Sequence, residues 1–129
     1  MATNDGENLY NQEGYELMAA AFEVYNEKGS GFLKAVYQEC LEHELDIQNI
    51  SFKSKPKLKL YYKGRSLNQT YEPDLIVSEK ITVELKAVQK LAPEHFAPLF
   101  NYLKAAGMKV GYLINFASHP QLEWKRVVR

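Results

Sequence analysis

Tyr71 to Val88 reads Y-E-P-D-L-I-V-S-E-K-I-T-V-E-L-K-A-V. Two short runs rich in β-branched and other apolar residues flank a polar break at Ser78–Lys80, the pattern of strand, turn and strand. Successive side chains of a strand point to opposite faces. Leu75, Val77, Ile81, Val83, Leu85 and Ala87 therefore share one face, and Asp74, Ile76, Thr82, Glu84, Lys86 and Val88 the other. The break lacks the Asn-Gly, Asp-Gly or Gly-Gly pair of a tight two-residue turn. A three-residue loop puts Val77 opposite Ile81, Leu75 opposite Val83 and Asp74 opposite Glu84, with Lys86 next along. A two-residue loop would set Asp74 against Leu85 and bury a charge among apolar side chains. The first register is predicted.

Downstream, Leu91-Ala92-Pro93 opens a helix that ends at Gly107. Pro98 falls inside it and removes a backbone hydrogen bond, so a kink, or a start later than Pro93, is expected. Val110–Phe116 reads as a buried strand and Leu122–Val128 as a last short one. Upstream, S-F-K-S-K-P-K-L-K-L-Y-Y-K-G places Lys53, Lys55, Lys57 and Lys59 at a period of two, on one face of an extended chain. Pro56 marks an edge strand, and lysines on an edge block unwanted strand pairing. The same ridge would suit a phosphate backbone. Lys63-Gly64 reads as a hairpin turn into Arg65–Thr70. A helix is expected from about Phe32 to Ile47, burying Leu33, Val36, Tyr37, Cys40 and Leu41, with Lys34 at the edge of that stripe beside Tyr37, Gln38 and Leu41. A first helix, capped by Asn11 and starting near Gln12, buries Met18, Ala21, Phe22 and Tyr25 and ends at Gly29-Ser30-Gly31. Residues 1–10 are expected to form a disordered tail and residues 11–129 a single domain. Helix, helix, three or four strands, helix, strand, strand predicts a mixed α/β (α+β) fold, with helices packed on a central sheet.

A chain of 129 residues is long enough for one sizeable core. Its net charge is zero, but residues 1–50 hold ten acidic and two basic residues, and residues 51–129 six acidic and fourteen basic. Two solvated faces of opposite sign, or a basic surface for a polyanion, both fit. No apolar run approaches the roughly 20 residues that span a bilayer. The segment M-A-T-N-D-G-E-N has no basic-then-apolar signal pattern, so a cytoplasmic protein without membrane attachment is expected. Cys40 is the single cysteine and suits a reducing compartment. His43, His95 and His119 show no metal-ligand spacing. His95, near the start of the third helix, is the one placed to approach the hairpin.

Two carboxylates facing each other repel, and one resists ionising unless a cation intervenes. Oxygen ligands favour Mg²⁺ or Mn²⁺, which polarise a phosphoryl oxygen and lower the pKa of a bound water. Lys86 would add a fixed positive charge near the developing phosphorane. On spacing alone, Asp74, Glu84 and Lys86 read more readily as a surface ion-pair cluster than as a site for phosphodiester hydrolysis.

More of the chain bears on this. P-D-L-I-V at 73–77 and V-E-L-K at 83–86 resemble the signature of the PD-(D/E)XK nuclease superfamily. The chain as a whole is similar to one bacterial and archaeal branch, the GxxExxY family. The resemblance lies in A-F-E-V-Y-N-E at 21–27, G-x-G-F-L-x-x-V-Y at 29–37, Y-Y-K-G at 61–64, V-E-L-K-A-V at 83–88, N-Y-L-K at 101–104, L-I-N-F at 113–116 and L-E-W-K-R at 122–126. It covers roughly residues 15–129. It implies a restriction-endonuclease-like αβββαβ core with an extra N-terminal helix, and Asp74, Glu84 and Lys86 as catalytic positions, Asp74 and Glu84 holding Mg²⁺ or Mn²⁺. The implied partner is DNA or RNA, with Lys53, Lys55, Lys57, Lys59, Lys125 and Arg126 on its phosphates. Lys34, Tyr37, His95 and Tyr102 are candidates to line the site. Two positions depart from the family pattern. The central Glu of its name-giving motif is Lys34 here, and a Gln of the third helix is Pro98. A lysine beside Asp74 and Glu84 would act as an internal counter-ion and weaken metal binding. The alternative expectation is therefore an inactive nuclease-fold module that binds nucleic acid or a protein partner; a third is that Asp74 and Glu84 are structural and the basic half of the chain binds the acidic half of a neighbouring molecule.

Overall fold

The computed structural model describes residues 9–129, so of the expected tail only Leu9 and Tyr10 are described. Helices α1 (Asn11–Lys28) and α2 (Lys34–Ile47) lead into five strands: β1 (Phe52–Ser54), β2 (Leu58–Tyr62), β3 (Arg65–Tyr71), β4 (Leu75–Val77) and β5 (Ile81–Lys86). Helix α3 (Pro93–Ala106), β6 (Val110–Asn115) and β7 (Glu123–Val128) follow. Five strands precede α3 rather than three or four, because two of them leave the sheet. The sheet runs β1-β4-β5-β6-β7, and β2 and β3 form a separate two-stranded ribbon. Neighbours are antiparallel except β5 and β6, which are parallel and joined through α3. With the ribbon set aside, α2-β1-β4-β5-α3-β6 is the expected αβββαβ core, preceded by α1 and extended by β7.

The hairpin has the predicted register: Leu75 lies opposite Val83, Ile76 opposite Thr82 and Val77 opposite Ile81. Leu75, Val77, Ile81, Val83 and Leu85 join Val110, Tyr112 and Ile114 in a core that α1 and α2 cover. On the opposite face, Leu113 packs with Leu99 and Leu103 of α3. This second face carries Glu84 and Lys86, because Glu84 pairs with Leu113 in the parallel ladder.

Local departures from the sequence expectations have physical causes. Tyr10, in the left-handed conformation, precedes α1 without a side-chain cap, so Asn11 lies inside the helix instead of capping it. The buried face of α1 includes Leu17 and Val24, while Phe22 is 39% exposed. Helix α2 starts at Lys34, and Leu33 is 79% exposed. The preceding turn is tied down by Tyr37, whose hydroxyl donates to the Gly29 carbonyl and accepts from the Phe32 amide. That keeps Phe32 and Leu33 out of the helix. Gln38 is buried in α2, whereas Val36 and Cys40 are half-buried. Helix α3 does start at Pro93 and runs unbroken through Pro98, which lies on its exposed side. The four lysines do not share a strand face. The chain turns at Lys55 (φ 48°) and Pro56, leaving Lys53 on β1 and Lys59 on β2, all four exposed.

A Cβ added at Gly14 would meet the Tyr112 hydroxyl at 2.1 Å. In an open helix Gly→Ala stabilises by about 0.5–1 kcal/mol. Here Gly14→Ala is expected to destabilise by roughly 1–3 kcal/mol in urea unfolding, because the helix must move off the sheet. Adding Tyr112→Phe is expected to recover part of the loss.

Candidate active site

The site begins at the open end of the β4–β5 hairpin. Asp74 precedes β4 and is 7% exposed. The register that sets Leu75 opposite Val83 brings it beside Glu84 of β5, whose carboxyl feels its charge. Asp74 is held from three directions. Its Oδ2 accepts the Leu85 amide at 2.7 Å. Its Oδ1 is 3.0 Å from the Lys34 ammonium, which reaches over from the first turn of α2. Its backbone carbonyl accepts from Gln38 Nε2 at 2.8 Å, and Gln38 also donates to Glu42. Lys34 and Gln38 are four residues apart and so occupy one flank of α2. That flank places both the counter-ion and the backbone clamp.

Glu84 is gripped from the other side. Tyr71, the last residue of β3, donates its hydroxyl to Glu84 Oε2. The Tyr71 ring is stacked on Tyr102 of α3, with centroids 4.4 Å apart and planes 7° from parallel. Burial pushes the Glu84 carboxyl up to about 7. The Tyr71 hydrogen bond opposes that shift, the Asp74 charge adds to it, and Lys34 offsets a further part. Burial and the Glu84 and Asp74 charges push the Tyr71 phenol well above its usual value, so it stays a donor.

Lys86 follows Glu84 by two residues on the same face, half-buried, and among the described residues it makes no salt bridge. Lys34, Asp74, Glu84, Lys86 and Tyr102 thus gather on one side of the sheet with Tyr71. Other candidates stand apart. Tyr37 is fully buried on the α1–α2 side, stacked on Phe116 at 4.7 Å. His95 Nδ1 accepts the Ala92 amide at 2.8 Å and closes the N-terminus of α3. Arg126 pairs with Tyr112 on the α1 side and donates to the Leu9 carbonyl at 2.7 Å, while Lys125, paired with Leu113, faces the α3 side. Tyr71 and Gln38 were missed as site residues. Tyr71 opens the hairpin segment, and its approach to Glu84 depends on the ribbon folding back, which spacing does not reveal.

Among the described residues no group of three or more His, Cys, Asp or Glu is arranged to hold a metal ion. The donor set nonetheless suits one hard divalent cation. Two carboxylates are held together, and one is driven toward neutrality by burial and by its neighbour's charge. Lys34 is the competitor, since its ammonium already sits on Asp74.

Burial holds the Glu84 carboxyl up at about 7 in the fold against about 4.5 when exposed, so between these values the folded state binds more protons. The contribution of Glu84 to stability is therefore full below about pH 4.5 and is lost as pH rises to about 7. Glu84→Gln is expected to flatten that fall and to raise stability at pH 7.5 by about 2 kcal/mol. Urea unfolding at pH 5 and pH 7.5 measures both.

A family model described as the PD-(D/E)XK nuclease superfamily matches residues 11–127. Among solved structures, "Crystal structure of SSO0001" is similar with a TM-score of 0.57 and 18% identity, covering 93% of this chain. The chain spans 59% of the length of that protein. No curated protein matches the chain.

Proposed function

Because the chain belongs to the PD-(D/E)XK nuclease superfamily, we propose that it hydrolyses phosphodiester bonds of nucleic acid in the cytoplasm, as a member of the GxxExxY branch. The observation that carries this reading is the strand register that puts Asp74 beside Glu84, with Lys86 next along on the same sheet face. Nucleases of this superfamily generally use divalent metal ions. Asp74 and Glu84 would hold Mg²⁺ or Mn²⁺, which when bound polarises the phosphoryl oxygen and acidifies a water. Lys86 supplies positive charge to the phosphorane as it forms. Tyr71 fixes the rotamer of Glu84, and the Leu85 amide fixes that of Asp74. The stack on Tyr102 in turn holds the Tyr71 ring in place. Single-domain organisation over residues 11–129 is part of the same reading.

One observation favours a second reading, an inactive module that binds nucleic acid or a protein partner. The Lys34 ammonium at 3.0 Å already neutralises Asp74 and repels a metal cation.

Cleavage assays on plasmid and oligonucleotide substrates with Mg²⁺ or Mn²⁺ test the first reading. Asp74→Ala and Glu84→Ala are expected to reduce cleavage to background, and Lys86→Ala to slow it about 10²–10³-fold. Cleavage surviving both carboxylate substitutions would overturn this site.

Calorimetric Mn²⁺ titration separates the two readings. Lys34→Ala is expected to bind Mn²⁺ roughly tenfold more tightly than the native chain, because a like charge is removed. Affinity is expected to rise with pH up to about 7, as the ion displaces the Glu84 proton. No Mn²⁺ binding by either protein would leave the inactive module.

A further inference from the structure

We propose that the β2–β3 ribbon enters the major groove of duplex DNA and holds it over the Asp74–Glu84 pair; this rests on the nuclease reading above. The ribbon is an insertion between β1 and β4 and contributes no strand to the sheet. Every residue from Tyr61 to Thr70 is exposed, so the fold makes no demand on the outer half of the ribbon. What that half is made of reports on what it meets.

Its chemistry suits a polyanion. From Ile47 to Tyr71 the chain has six lysines and arginines and no acidic residue. Lys59, Lys63 and Arg65 lie on the ribbon itself, beside Tyr61 at 50% exposure, Tyr62 at 62% and Leu67 at 42%. Large apolar side chains in water at the tip of a projection have no folding role, and basic residues around them match a phosphate-walled groove. Lys63 already lies over the Tyr62 ring, 5.6 Å from its centroid.

Shape selects the duplex. Lys63 and Gly64, both at positive φ, make a narrow two-residue turn between the paired Tyr62 and Arg65. The arm from Arg65 to Tyr71 reaches about 20 Å at the usual rise per residue. A two-stranded ribbon of this kind fits the roughly 12 Å major groove of B-form DNA, whereas the deep, narrow major groove of A-form RNA excludes it. Tyr61 and Tyr62 are consecutive and point to opposite faces, so they make no single platform for stacked bases of a lone strand. The face of Leu60 and Tyr62 rests on α3 at its root, and beyond that root both faces are open to the walls of a groove.

The root of the ribbon is the site. Tyr71 ends β3 and donates to Glu84, and Leu60 is buried at the α3 side of β2. The Lys55 amide donates to the Asp74 carbonyl at 3.0 Å across the neck. A duplex held by the ribbon is thereby set at a fixed distance from both carboxylates.

Anisotropy of a short labelled duplex DNA in EDTA tests this on the full chain. The triple variant Lys59→Ala, Lys63→Ala, Arg65→Ala is expected to lose at least tenfold in affinity, with an unchanged melting temperature. The slope of log affinity against log salt should fall by about 2.7, from three lost phosphate neutralisations. Tyr61→Ala with Tyr62→Ala should weaken duplex binding as well, and Lys104→Ala with Lys109→Ala should not. Equal affinity for the triple variant, or a preference for single-stranded DNA or duplex RNA, overturns the proposal. Asp74-dependent cleavage indifferent to the ribbon variants would overturn the ribbon alone. Ribbon-dependent duplex binding with no cleavage under Mg²⁺ or Mn²⁺ would sustain the ribbon and overturn the nuclease reading.

Discussion

Two carboxyl groups in contact, one almost completely buried, are costly to keep charged, and the rest of the molecule is arranged around that cost. Asp74 keeps its place through a backbone amide from β5, an ammonium from α2 and a side-chain amide from α2 that seizes its own carbonyl. Glu84 has a phenol from the ribbon, backed by a second phenol from α3. Four elements outside the β4–β5 hairpin or across it thus converge on one pair of side chains. Helix α2 is anchored to that pair as well as to the apolar core, since Gln38 is a buried polar residue satisfied by Asp74 and Glu42.

Compensation by hydrogen bonds differs in kind from compensation by charge. The Leu85 amide and the Tyr71 hydroxyl orient the carboxylates and leave their charge in place. Lys34 cancels part of it. Its side chain is 43% exposed and free to swing into solvent, but Asp74 is only 10% exposed, so its carboxylate would then be left without a counter-charge unless another cation took the place of Lys34. Lys34 and a divalent ion are alternatives on one surface, because the largely buried Asp74 carboxylate needs a cation beside it.

The hairpin was legible because two independent constraints, apolar alternation and the length of the polar break, allowed a single register, and that register fixes Asp74 beside Glu84. The ends of α3 were legible from Pro93 and Gly107, whose backbone preferences are local. Less local features were not. The lysine ridge looked continuous at a period of two, but period does not register that Lys55 turns left-handed before Pro56. The buried face of α1 depends on how closely Gly14 lets the helix approach Tyr112, a contact nearly a hundred residues distant in the chain. Lys125 and Arg126 were both expected on the phosphates of one nucleic acid. Being strand neighbours, they face opposite sides of the sheet. Tyr71 needed the ribbon's return path, and no spacing rule supplies it.

The neck of the ribbon makes the molecule modular. The chain departs after Ser54 and returns at Leu75, and the Lys55–Asp74 backbone bond closes that gap independently of what lies beyond. Closing a longer or shorter excursion across a fixed neck changes little in free energy, since loop entropy grows only with the logarithm of length. Strands β1 and β4 would stay paired whatever was spliced between them, provided a tyrosine still arrives at the Glu84 end. The ribbon and the carboxylate pair thus occupy separable stretches of sequence, joined by one side chain. A lineage, or an engineer, could exchange the arm without disturbing the carboxylates at its root.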